Sequence, residues 1–137
     1  MLNKVLHIDD DEITLMMNEL FVQKNAFAKE QVQCLNGSEA LAYYADLLDR
    51  KNAGESVVPP DLIFLDLNMP YMNGWDFMES FCEIYYSHFP QTKVAILTSS
   101  VYQEDREKAA TFSMIIGFFS KPMDDKMLVS FSKMLEK

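Results

Sequence analysis

The chain has 137 residues, the size of one domain, and 49% of them are apolar, enough for one core. Acidic residues outnumber Lys plus Arg by 21 to 12, a net charge of −9 that repels phosphate backbones and argues against nucleic acid as a partner. No apolar run is long enough for a membrane span and no secretory leader is evident. Cys34 and Cys82 fit neither a disulfide framework nor a zinc pattern, so reduced thiols and a cytoplasmic location are expected.

Residues 4–8 read as a short strand that runs into Asp9-Asp10-Asp11-Glu12. His7, inside it, has no metal-ligand spacing and reads as a hydrogen-bonded core residue. The first helix follows, with its acidic residues at the positive end of the dipole. Ile13, Met16, Met17 and Leu20 recur at helical spacing and predict one buried stripe. Residues 31–35 form a weaker strand, and Asn36-Gly37-Ser38 is turn and cap chemistry. A second helix carries Leu41, Tyr44, Ala45 and Leu48. Residues 50–60 are polar and end on Pro59-Pro60; they read as a loop or frayed helix end, more simply a tolerated surface insertion than a partner-specific loop.

Leu62-Ile63-Phe64-Leu65 lies between prolines and ends on Asp66, the pattern of a strand buried on both faces. A turn around Gly74 leads to a third helix with Phe77, Met78, Phe81, Ile84 and Tyr85, a core stripe. Residues 94–97 are a fourth buried strand. Residues 102–112 are charged and only weakly amphipathic, which predicts the least firmly held helix. Residues 115–119 are a fifth strand, ended by Ser120-Lys121-Pro122, and the last helix sets Met127, Leu128, Phe131, Met134 and Leu135 in register.

Five alternations of strand and helix predict an α/β fold: a doubly wound, five-stranded parallel sheet with helices on both faces and right-handed crossovers. One domain over residues 1–137, with no output domain, is expected. Parallel strands place their carboxyl ends on one edge, where ligands bind in such sheets. That edge collects Asp9 and Asp10, Asp66, the Thr98-Ser99-Ser100 hydroxyls and Lys121. Asp66 alone could be a turn or capping residue. Three carboxylates around one ammonium either raise each other's pKa or bind a cation, and oxygen ligands without His or Cys suit Mg²⁺. Such a set suits phosphoryl transfer to a carboxylate, with metal, ammonium and hydroxyl meeting the phosphoryl oxygens.

The motifs Val5-Leu6-His7-Ile8-Asp9-Asp10-Asp11, Asp61 through Pro70 with Gly74, Ile96-Leu97-Thr98-Ser99 and Gly117-Phe118-Phe119-Ser120-Lys121-Pro122 make the sequence resemble a receiver domain of two-component response regulators, chemotaxis-regulator-like and stand-alone. The resemblance implies a flavodoxin-like strand order, 2-1-3-4-5. It implies Asp66 as phosphoacceptor, with Thr98 and Lys121 bonding the phosphoryl oxygens. Mg²⁺ would be held by Asp10, Asp66 and the Asn68 backbone carbonyl, with Asp9 acting through water. Thr98 and Phe118 would be the switch pair, the Phe118 ring swinging in behind Thr98, and Asn68 and Ser100 would tune dephosphorylation. A cis Lys121-Pro122 peptide is expected.

The expected phosphodonor is a histidine kinase or phosphotransfer protein. The expected downstream partner is a protein at the helix 4, strand 5, helix 5 face, with the chain a monomer or a weak phosphorylation-dependent dimer. Tyr71 and Asn73 stand where the family often has Gly and Asp. The domain is expected to be a signalling phosphoacceptor rather than an enzyme. A receiver that binds partners without phosphorylation is one alternative. An aspartyl-nucleophile phosphatase of the haloacid-dehalogenase type is another; it would need an acid two residues after the nucleophile, where this chain has Asn68.

Overall fold

A computed structural model describes residues 1–135. In chain order it comprises β1 (Leu2–Ile8), α1 (Glu12–Lys24), β2 (Ala28–Cys34), α2 (Gly37–Asn52), β3 (Leu62–Leu65), α3 (Gly74–Ser80), β4 (Lys93–Thr98), α4 (Gln103–Ala109), β5 (Ile115–Ser120) and α5 (Asp125–Leu135). All strand pairs are parallel and the order is β2-β1-β3-β4-β5. This is the doubly wound, flavodoxin-like sheet expected above.

Two apolar cores sandwich the sheet, because alternate residues of each strand face opposite sides. Ile63 and Leu65 of β3 join Tyr44, Leu47, Phe77 and Phe81 beneath α2 and α3. Leu62 and Phe64 join Val22, Leu128 and Phe131 beneath α1 and α5. A bulge in the β4–β5 pairing between Val94 and Ala95 resets β5, so that Phe118 packs toward the first core and Phe119 toward the second.

Three expectations need correction. The α1 stripe faces solvent: Ile13, Met16, Met17 and Leu20 are 45–66% exposed. The opposite face, Leu15, Asn18 and Val22, meets the sheet. Both faces of α1 carry apolar residues, and the buried one includes a polar Asn18, so periodicity pointed to the wrong side. In the third helix, Ile84 is exposed although Phe77, Met78, Phe81 and Tyr85 are buried. There Phe81–Tyr85 widens into a π-helical segment, and each residue advances less around the axis, which carries Ile84 away from the core. In α5, Leu128 and Phe131 are buried while Met134 faces water.

The charged fourth helix is shorter than the sequence pattern, seven residues, and only Ala109 on it is buried. Residues 50–52 finish α2, and the segment beyond turns at Gly54 with φ +87°.

Candidate functional site

Asp9, Asp66 and Lys121 are each placed by one further rung of the ladder beyond their strands. The Asp9 N–H donates to the Cys34 carbonyl (3.1 Å), the Asp66 N–H to the Ile8 carbonyl (3.0 Å), and the Lys121 N–H to the Thr98 carbonyl (3.0 Å). Strand ends that are buried on both faces therefore deliver two carboxylates, Asp9 and Asp66, into a nearly water-free position. The Lys121 ammonium bridges them, 2.6 Å from Asp9 Oδ2 and 3.3 Å from Asp66 Oδ2. Asp10 stands exposed at the rim.

Asp9 Oδ1 also accepts the Asp11 N–H (3.0 Å), and Asp66 Oδ1 the Asn68 N–H (3.4 Å). Asp11 is outside the cluster: it caps α1 by accepting the N–H groups of Ile13 and Thr14, and these bonds hold its carboxyl below the usual range.

Burial pushes the Asp9 carboxyl up, against the Lys121 hydrogen bond that pulls it down. Burial alone would pull the Lys121 ammonium down, but its hydrogen bond to Asp9 and the Asp66 charge outweigh it and raise it. The pair is thus short one positive charge: two buried carboxylates share a single cation. One oxygen each from Asp9, Asp10 and Asp66 lie within 4.8 Å of one another. All are hard carboxylate donors with no His or Cys among them, a set that fits Mg²⁺.

The loop after Asp66 is held down at Gly74. A Cβ there would stand 2.6 Å from the Asp66 carbonyl oxygen and 2.9 Å from Leu67 Cα, so only glycine lets α3 start this close to the aspartate. Asn73 and Asp76 form a reciprocal capping box on the same turn. Tyr71, in this loop, is 98% exposed and has φ +67°. A left-handed tyrosine costs on the order of 1 kcal/mol, where a glycine would cost nothing.

Thr98 is fully buried at the end of β4, and its Oγ accepts the Ser100 N–H at 3.2 Å. Asn68 is exposed and Ser100 buried. Phe118 lies beside Ile96, with the Arg106 guanidinium 4.7 Å from its ring centroid. The ring thus lies between the Arg106 side chain of α4 and the first core. The Lys121-Pro122 peptide is cis.

Asp9, Asp10, Asp66 and Lys121 therefore converge, with Thr98 at the end of β4 and Asn68 and Ser100 on the adjoining loops. The sequence reading missed Asp105 and Trp75: the Asp105 carboxylate accepts from both Ser100 Oγ (2.5 Å) and Trp75 Nε1 (2.9 Å). No periodic signal marks these two; an acidic residue in the first turn of α4 was legible only as helix-dipole chemistry.

The family model of the response regulator receiver domain matches residues 5–132. The hybrid signal transduction histidine kinase L of Dictyostelium discoideum is 32% identical over 125 residues, which cover 90% of this chain and 7% of that protein. The alkaline phosphatase synthesis transcriptional regulatory protein SphR of Synechococcus elongatus is 26% identical over 131 residues, 93% of this chain and 46% of that protein. The chain thus spans less than half the length of these relatives. A two-component response regulator from Cytophaga hutchinsonii superposes with a TM-score of 0.85 at 26% identity, covering 98% of this chain and 97% of that one. With its sheet order, its acidic edge and a family match over nearly its whole length, the chain belongs to the response regulator receiver domain family.

Proposed function

We propose that Asp66 accepts a phosphoryl group from the phosphohistidine of a histidine kinase or phosphotransfer protein, and that the domain then signals through a changed protein-binding surface. The observation that carries this reading is the Lys121 ammonium lying between buried Asp9 and Asp66. A carboxylate beside a cation is a competent nucleophile toward phosphorus. As Asp66 Oδ2 takes the phosphoryl group, Lys121 remains within reach of the new oxygens, and the buried Thr98 hydroxyl supplies another donor from the adjoining strand. Asp10, Asp66 and the Asn68 carbonyl, with Asp9 through water, would hold Mg²⁺. When bound, the ion supplies the positive charge that two carboxylates and one lysine lack. Asn68 and Ser100 carry no strong base, so self-dephosphorylation is slow.

The exposed face of α1 supports a surface for the phosphodonor. Met17, Leu20, Phe21 and Lys24 line one groove, and Met17 and Phe21 continue into a second that reaches Lys121 and Pro122. An apolar path thus leads from α1 to the acidic edge, where a donor histidine must arrive. The downstream partner is assigned to the face made by α4, β5 and α5, whose first helix is lightly anchored.

Incubation with acetyl phosphate and Mg²⁺ should give a phosphorylated species, resolved by phosphate-affinity electrophoresis. The Asp66→Asn variant and an EDTA-treated wild type should both lack it. Equal labelling of Asp66→Asn would end the assignment.

A further inference from the structure

A line of hydrogen bonds runs from the phosphoacceptor edge to the start of α3. Thr98 Oγ accepts the Ser100 N–H (3.2 Å), and the Ser100 hydroxyl donates to Asp105 Oδ2 (2.5 Å) while accepting the Tyr102 N–H (3.3 Å). Asp105 Oδ1 accepts the Trp75 indole N–H at 2.9 Å. The indole stacks on Phe112, with ring centroids 5.9 Å apart, and the Lys108 ammonium lies 5.2 Å from the indole centroid. Since α4 buries only Ala109, this carboxylate ties it to both the β4–α4 loop and α3, beside the Lys108–Glu79 ion pair at 3.5 Å. Hydrogen bonds to an ionised acceptor are roughly twice as strong as neutral ones.

We propose that Asp105 is a positioning residue: it holds Ser100, and through Ser100 the Thr98 hydroxyl, in this arrangement, and it transmits occupancy of the Asp66 site to Trp75. This rests on Asp66 being the phosphoacceptor. A Thr98 hydroxyl that turns to a phosphoryl oxygen withdraws its acceptor from the Ser100 N–H. Ser100 is buried, and a buried N–H left unpaired is costly, so the loop follows Thr98. Moving the loop draws the Ser100 hydroxyl off Asp105 and loosens the carboxylate's hold on the indole. Trp75 and Asp105 border an open cleft of about 440 Å³ shared with Asn68 and Asn73, which leaves the indole room to shift. A contact made in only one of two states favours that state, so removing Asp105 favours the occupied arrangement.

Trp75 is the only tryptophan, and its emission reports on the relay directly. Titration of the full chain with beryllofluoride and Mg²⁺, followed by Trp75 emission and by ¹⁹F NMR, tests it. Wild type should bind with an emission shift. Asp105→Ala should start at the shifted emission and bind beryllofluoride about fivefold tighter or more, the low end of ordinary site-to-site coupling. Asp105→Asn, which can still accept from the indole and meet Ser100, should restore wild-type behaviour. Trp75→Phe keeps the stack on Phe112 without the N–H, and by ¹⁹F NMR its affinity should move in the same direction as that of Asp105→Ala. Wild-type affinity in both Asp105→Ala and Trp75→Phe overturns the relay while leaving the phosphoacceptor intact. Absence of beryllofluoride binding in wild type overturns the phosphoacceptor itself, and the relay with it.

Discussion

Single side chains in this molecule are set against their intrinsic chemistry wherever they approach the acidic edge. Lys121 answers two carboxylates at once, and no other cation is within salt-bridge distance of Asp66 among the described residues. His7, just beneath, shows the opposite solution. Its Nε2 pairs with Gln31 Oε1 at 2.8 Å, its ring stacks on Phe64, and its Nδ1 has no partner. Burial is the main cause that pushes its pKa down from 6.5 to about 4, partly opposed by the Gln31 bond. The unfolded chain therefore binds a proton at His7 that the folded chain refuses. The neutral ring imposes no penalty above pH 6.5; as pH falls from 6.5 to about 4 stability is lost, and below that the loss levels off. A shift of this size corresponds to about 3 kcal/mol. Urea unfolding of wild type and His7→Val across this range should show that acid-linked loss in wild type alone; parallel curves would contradict it.

Among the elements, α1 departs most from what amphipathicity suggests. Its inner face is short of apolar mass, with Asn18 between Leu15 and Val22, while its outer face carries Ile13, Met16, Met17 and Leu20. Contiguous exposed apolar surface of this kind marks an interaction site. The double substitution Met16→Lys with Leu20→Lys should leave the melting temperature nearly unchanged, because exposed positions contribute within about 0.5 kcal/mol each. Labelling by acetyl phosphate should also be unchanged. Transfer from a phosphorylated histidine kinase should slow by about tenfold or more, the loss of one ordinary apolar anchor. Equal slowing with both donors would place the defect in the acidic edge instead.

At the scale of the whole molecule, burial is graded across the sheet. β1, β3 and β4 are covered on both faces, and β3 is buried at every position. β5 is only partly buried from Ile115 to Phe119 and exposed at Ser120, and α4 is held by Asp105, by Arg106 against Phe118, by Lys108 on Glu79 and by Ala109. A buried central frame thus presents Asp66, and a loosely tied helix lies beside it. Native-state hydrogen exchange should find the amides of β1, β3 and β4 the slowest and those of α4 well faster, before any unfolding of the domain. Equal protection of α4 and β3 would contradict this gradient.

The sequence by itself determined the sheet and the composition of its edge. Breaker-bounded apolar runs such as Leu62 to Leu65, alternating with helical patterns, suit central parallel strands buried on both faces, and parallel strands bring their carboxyl ends together. Asp9, Asp66 and Lys121 were therefore legible as neighbours before any coordinate. What tertiary structure alone decided was direction and partnership. Helical periodicity marks a face but not what it meets, so the outward turn of the α1 stripe depended on which side Leu15 and Val22 could pack. The π-helical segment that turns Ile84 out, the Arg106 guanidinium over the Phe118 ring, and the convergence of Ser100 and Trp75 on Asp105 likewise depend on how separate elements pack. Local sequence carries no term for contacts made across that distance.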